Sequence, residues 1–294
     1  MTTPSTDPTE QVQPTEQVQH HHVHTVLKNR VPEISIVFWI IKILSTTTGE
    51  TFADYLNETV GLGLANTTYI TMSILIVGLV AQFYVSRYNA FIYWFVVVMI
   101  SIVGTLVTDN LTDGLGVPLW VSSIVFATLL AGTFAVWYWK ERTLNFHTIY
   151  TRRREAFYWV AILFTFALGT AFGDLITEGW GIGYWEGLLL FGGVIAADTA
   201  VWYFLKGNGV ACFWVAYILT RPLGASLGDL LSSPKSDGGL GVGTNITSIV
   251  FLTIILLLTT YLQFQISRER KVLEATLSDT DAVKLTREDS TDQP

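Results

Sequence analysis

The chain has 294 residues and a formal net charge of −7, with 14% charged against 50% hydrophobic residues. An ordinary soluble domain carries about 25% charged residues, so the composition argues against a soluble enzyme, and the acidic balance argues against a nucleic-acid binder, which needs a basic stripe. A single cysteine, Cys212, excludes a disulfide scaffold, a Cys-rich zinc site and an iron–sulfur site.

Residues 1–31 read as a polar, structureless tail. They carry Thr-Glu-Gln-Val-Gln twice, at 9–13 and 15–19, and a histidine run, His20, His21, His22 and His24. No apolar stretch follows a basic start, so the segment does not read as a signal peptide. A helix needs about 20 mostly apolar residues to cross a bilayer. Eight segments meet that length: 34–56, 67–86, 88–108, 119–139, 156–176, 185–205, 210–231 and 239–267. The runs are continuous and too long for the alternating strands of a β-barrel. The expected fold is therefore all-α, a polytopic bundle of eight transmembrane helices. Two halves, 32–142 and 156–268, are joined by a basic linker at 143–155, and a polar tail occupies 269–294.

The Lys and Arg residues set the expected orientation. Lys28, Arg30, Arg87, Lys140, Arg142, Arg152–Arg154, Lys206, Arg268, Arg270 and Lys271 fall on one side of the alternating loops, and the other side holds Lys235. The positive-inside rule then puts both termini in the cytoplasm.

One pattern occurs four times. Trp39, Trp94, Trp159 and Trp214 each precede a glycine by ten residues, at Gly49, Gly104, Gly169 and Gly224. Each glycine precedes an aspartate by five, at Asp54, Asp109, Asp174 and Asp229. Each copy ends in a Gly-rich loop, and each reads as a two-helix hairpin. An even number of spans per repeat keeps the four copies parallel. They should be related by a pseudo-four-fold or pseudo-two-fold axis along the membrane normal, with the polar odd-numbered helices inside. The tryptophans near the span ends read as interfacial anchors.

Gly169-Thr-Ala-Phe-Gly-Asp174, Gly224-Ala-Ser-Leu-Gly-Asp229 and the looser copies ending at Asp54 and Asp109 carry a family resemblance. Over residues 30–270 the chain resembles bacterial membrane-anchored proteins built from four copies of a short repeat of unknown function. That resemblance implies a protein of the bacterial inner membrane and assigns no activity. The Gly-Asp pairs also resemble, more weakly, a signature of manganese and calcium transporters, but repeats 3 and 4 lack the acid that precedes it there.

Ionisable residues inside membrane helices are costly and are functional candidates for that reason. The acids are Glu50, Asp54, Asp109, Asp174, Asp198 and Asp229, and the bases are Lys42 and Arg221. Four-residue spacing places Lys42, Thr46, Glu50, Asp54 and Glu58 along one helix face, with Thr105, Asp109 and Asp113, then Thr170, Asp174 and Glu178, in equivalent lines. The repeat aspartates fall near helix C-termini, where the macrodipole disfavours a carboxylate. A converging ring of them suits a cation. Oxygen ligands favour a hard ion such as Mg²⁺, Ca²⁺ or Mn²⁺ over copper or zinc.

The expected cation ligands are thus Asp54, Asp109, Asp174 and Asp229, with Glu50 as a fifth ligand or ion-pair member. Glu58, Asp113, Glu178 and Asp198 form a rim or proton relay. Arg221 and Lys42 serve as ion-pair partners, Arg221 for Glu50 and Lys42 for Asp198, with snorkelling as the alternative for Lys42. The competing reading makes the aspartates helix caps or water-exposed loop residues, and the protein a membrane binding or sensory protein with a structural acidic cluster. No phosphate loop, His-Glu-x-x-His or serine elbow is present, so neither an enzyme nor a cofactor is expected. The expected partners are an inorganic cation and the lipid bilayer, not nucleic acid, and the sequence leaves a homo-oligomer open.

Overall fold

The computed structural model describes residues 29–291. Eight long helices dominate, and no strand occurs among the described residues. They are α1 (Ile36–Asp54), α2 (Leu64–Tyr84), α3 (Ala90–Asp109), α4 (Leu119–Glu141), α5 (Arg152–Asp174), α6 (Tyr184–Phe204), α7 (Gly209–Ser232) and α8 (Thr244–Thr291). Seven of them, all but α1, are long and apolar enough to cross a membrane. The exception has a simple cause, since Lys42, Ser45, Thr46, Thr47, Thr48, Glu50 and Thr51 all lie on α1. Most of these side chains are fully buried by neighbouring helices, so α1 meets protein rather than lipid.

The odd-numbered helices form the interior, as the placement of polar residues suggests. The most apolar stretches of α3, α5 and α7 are 78, 56 and 56% buried, against 22, 22, 11 and 11% for α2, α4, α6 and α8. The inner helices pack in a closed cycle, α1 on α3, α3 on α5, α5 on α7 and α7 on α1. Each starts from a side-chain N-cap. Ser35 accepts from the Phe38 amide, Asn89 from Ile92, Thr151 from Arg154, and Asn208 from Val210 and Ala211. Such caps satisfy amides that the first turn leaves without a partner.

The outer helices correct the hairpin expectation. In the first three repeats the two helices of one repeat barely touch. Each outer helix packs instead on the inner helix of the next repeat: α2 on α3, α4 on α5 and α6 on α7, with α8 returning to α1. The connections explain this in part. Segments 85–89 and 205–208 are short and hold α2 beside α3 and α6 beside α7. The links at the aspartate ends are longer. Inner helices α1, α3 and α5 each run into one turn of π-helix, Tyr55–Thr59, Asn110–Gly114 and Leu175–Gly179, before a glycine loop. Each loop holds at least one glycine (Gly61 and Gly63, Gly116, Gly181 and Gly241) with a φ near +70°, a conformation that side chains with a Cβ disfavour.

The repeat glycines mark the points of closest approach around the inner cycle. A Cβ at Gly49 would overlap Ser101, and one at Gly224 would overlap Thr46. At Gly104 it would lie 3.0 Å from the Phe166 Cβ, and at Gly169 2.5 Å from the Arg221 Cβ. Thr46, Ser101, Phe166 and Arg221 all stand seven residues after a repeat tryptophan. Every glycine therefore receives the same position of the following repeat. The tryptophans differ from the anchor expectation: Trp94, Trp159 and Trp214 are buried in the aromatic core, and Trp214 donates its indole N–H to the Leu144 carbonyl at 3.3 Å.

Two boundaries also shift. Helix α5 begins at Arg152, within the expected linker. Helix α8 continues through Thr291, because residues 268–291 contain neither Gly nor Pro and are rich in helix-forming Leu, Glu, Ala, Lys and Arg. The histidine run and the duplicated pentapeptide lie outside the described residues.

The glycine contacts make a direct prediction. Gly169→Val should destabilise the protein by about 1–3 kcal/mol through overpacking, while Gly132→Ala, which meets nothing within 4 Å on α4, should be neutral or stabilising. Thermal unfolding in detergent, followed by size-exclusion chromatography, compares them. Equal midpoints for the two variants would contradict the glycine cycle.

Candidate functional site

Equivalent positions of the four inner helices form tiers spaced four residues apart. Farthest from the aspartates, at what we term the tryptophan end, are Phe38, Tyr93, Tyr158 and Phe213. The two tyrosine hydroxyls lie 2.5 Å apart, and all four side chains are buried. The next tier is Lys42, Val97, Ile162 and Tyr217, followed by Thr46, Ser101, Phe166 and Arg221. Both tiers are sealed from solvent. Then come Glu50, Thr105, Thr170 and Ala225, and after them Asp54, Asp109, Asp174 and Asp229, which are half-buried. Glu58, Asp113 and Glu178 are exposed, with Ser233 half-buried beside them. Accessibility thus rises steadily toward the aspartate end.

The acids converge, though not as an even ring. Glu50, Asp54 and Asp229 each place a carboxylate oxygen within 4.8 Å of the others. Asp109 and Asp174 lie outside that triad but, like its members Asp54 and Asp229, are within electrostatic reach of Glu50. At the α1–α7 contact Gly224 and Gly228 both face threonines of α1, and Asp54 and Asp229 come together beyond that contact. At this separation two carboxylates repel by about 3–4 kcal/mol at an effective dielectric constant near 20.

Arg221 supplies the opposing charge. Its guanidinium donates to Glu50 and to the Thr105 hydroxyl, and Thr105 donates to Glu50 at 3.4 Å. The residue is fully buried, and its stem fits only because Gly169 has no Cβ. Pro222 follows it inside α7 and removes the backbone bond to Ile218. The expected Arg221–Glu50 pair is thus present.

Lys42 differs from the ion-pair expectation and forms no ion pair among the described residues. Its ammonium sits 3.8 Å from the centre of the Phe166 ring and 4.2 Å from that of Tyr217, a cation–π arrangement, and it has no hydrogen-bond partner. Asp198 lies on outer helix α6, where it meets Cys212 near the start of α7. It is therefore remote from the acidic triad and from Lys42, because the outer helix packs on the following repeat.

The tryptophan end holds a cluster that sequence reading misses. Fully buried Glu155 accepts from Arg30 at 2.6 Å and from Gln82 at 2.9 Å. Glu141 pairs with Arg153 and, at 2.7 Å, with Arg154. These bonds tie the segment before α1, the end of α2 and the start of α5 together. Glu155 stands three residues before Tyr158, one helical turn away on the same helix, off the four-residue register of the tiers.

The Repeat of Unknown Function (DUF347) matches the chain four times, at residues 37–88, 92–143, 157–208 and 212–267. The protein therefore belongs to the family built from this repeat. Each match begins two residues before a repeat tryptophan and so spans one inner and one outer helix. No curated protein and no solved structure matches the chain.

Removing one member of the buried pair exposes its role. Arg221→Met should cost about 3–5 kcal/mol, the usual penalty for stranding a buried charge. Adding Glu50→Gln to Arg221→Met should recover most of that loss. A thermal-shift double-mutant cycle checks this, and additive effects would remove Arg221–Glu50 from the centre of the site.

Proposed function

We propose that the protein is a membrane transporter for a hard cation, most simply a divalent ion such as Mn²⁺. The observation that carries this reading is the grouping of Glu50, Asp54 and Asp229, from two separate repeats, within 4.8 Å. Three carboxylates so close in a low-dielectric bundle favour a bound cation or protons, and an all-oxygen ligand set selects hard ions. Asp109 and Asp174 extend the negative field, and exposed Glu58, Asp113 and Glu178 draw cations toward the mouth. Arg221 competes with the ion for Glu50, which limits affinity and assists release.

The basic residues near the tryptophan end support a cytoplasmic location for both termini, with the acidic mouth opening to the opposite side. The direction we infer is export, driven by proton exchange at the same carboxylates. The repeats, arranged about an axis along the membrane normal, give alternating access by rocking one half against the other.

A second reading follows from the sealed tiers between Phe38 and Arg221. A site open at one end only suits a membrane sensor that binds a cation without passing it on.

Proteoliposomes distinguish the two. The transporter should move Mn²⁺, and Asp54→Asn or Asp229→Asn should lower flux at least tenfold, the effect of about 1.4 kcal/mol at a binding step. Asp198→Asn should leave flux unchanged. Saturable binding without flux supports the sensor, and flux indifferent to both aspartates sinks the transport proposal.

A further inference from the structure

The tryptophan end, opposite the acidic mouth, is covered by two segments outside the long helices. One is a strap, residues 29–35 before α1, and the other is the linker 142–151 between α4 and α5. Connecting segments usually run over the surface, but these bury apolar side chains. Val31, Phe146 and Ile149 are 4, 7 and 0% exposed. Phe146 packs on Phe213 of the outermost tier, with ring centres 3.9 Å apart. Val31 joins the hydrophobic core that holds Phe38, Tyr93 and Tyr158. The strap is also bonded to its surroundings through the backbone. The Arg30 amide donates to the Ile149 carbonyl of the linker at 3.2 Å, and the Tyr88 amide donates to the Asn29 carbonyl at 3.1 Å. Arg154 steadies the linker by donating to the Thr148 carbonyl at 2.9 Å.

The charged contact at this end joins the two halves of the chain. Arg30 leads into α1 and Gln82 lies on α2, both in the first repeat, whereas Glu155 lies on α5 in the third. Glu155 accepts from both partners and is fully buried. A buried pair of this kind is little weakened by salt. Any rocking of one half against the other that parts them at the tryptophan end therefore has to draw Glu155 away from Arg30 and Gln82.

We propose that the strap and the linker form the inner gate of the bundle, latched shut where Glu155 meets Arg30 and Gln82. The purpose of the gate rests on the transport reading, because a carrier needs a second opening and a sensor does not. In the present conformation the gate is closed and the acidic mouth is open. Opening breaks the latch, lifts Phe146 from Phe213 and gives the sealed tiers access to the tryptophan side. Packed interfaces switch between discrete arrangements more readily than they deform by degrees, which suits a latch that is either made or broken.

Thiol labelling of the full-length protein in proteoliposomes tests the gate. In a Cys212→Ser background, Val97→Cys lies in a sealed tier and should react slowly with a membrane-impermeant reagent applied from the tryptophan side. Adding Glu155→Gln should raise that rate by roughly ten-fold, within the range open to a minor state populated at about 0.1–10%. Ala171→Cys, equally buried but nearer the aspartates, controls for general loosening and should keep its rate. Phe146→Ala leaves the charges in place and should act in the same direction if Glu155→Gln does not fold. A Val97→Cys rate indifferent to these changes overturns the gate, as does equal acceleration at both cysteines. Mn²⁺ flux is read in the same vesicles without the added cysteines. Its absence in wild type overturns the transport reading, while the labelling alone decides whether the strap and linker open.

Discussion

A guanidinium facing a carboxylate at the centre of four helices sets the terms for everything around it. Arg221 lies in a sealed tier, and Glu50 lies one tier nearer the acidic mouth. Removing one member of a buried pair leaves the other charge stranded at a cost of about 3–5 kcal/mol. Thr105 completes the pairing from a third helix. Room for the arginine stem comes from Gly169 on a fourth, so all four inner helices contribute, by bond or by clearance. The remaining carboxylates are then arranged about a partly neutralised centre. Their excess negative charge is what gives the site an affinity for cations.

The same constraint explains the outer layer. Helix α1 carries the polar side of the central pair and a run of threonines, and it is the one long helix too polar to face a bilayer unaided. Helices α3, α7 and α8 cover it. Cross-helix bonds such as Thr46 to the Thr220 carbonyl and Thr51 to Ser248 are each worth only about 0.6 kcal/mol in a membrane setting. Close packing at the glycines therefore holds the inner cycle, and the hydroxyl bonds mainly set its register.

Much of this was legible in the sequence. The Trp–Gly–Asp spacing identified four inner helices, and four-residue steps from the aspartates led to Glu50 and Arg221. Three features escaped for physical reasons. The unevenness of the acidic group depends on how neighbouring repeats settle against one another, and the regular Trp–Gly–Asp spacing carries no trace of that difference. The places of Lys42 and Asp198 depend on which helix the outer layer rests against, and hydropathy carries no such information. Glu155 escaped because an acid beside three arginines looks like part of a solvated basic linker until the Arg30 and Gln82 contacts are seen.

The handing of each outer helix to the next repeat has a consequence for biosynthesis. No repeat can complete its own packing as it leaves the ribosome. Helices α3, α5 and α7 each receive an outer partner that has already been made, but α1 receives its partner, α8, after the other three repeats exist. The most polar helix is thus made first and enclosed last. Until then its threonines, Lys42 and Glu50 lack their final neighbours, and assembly ends with a clasp between the two extremes of the chain.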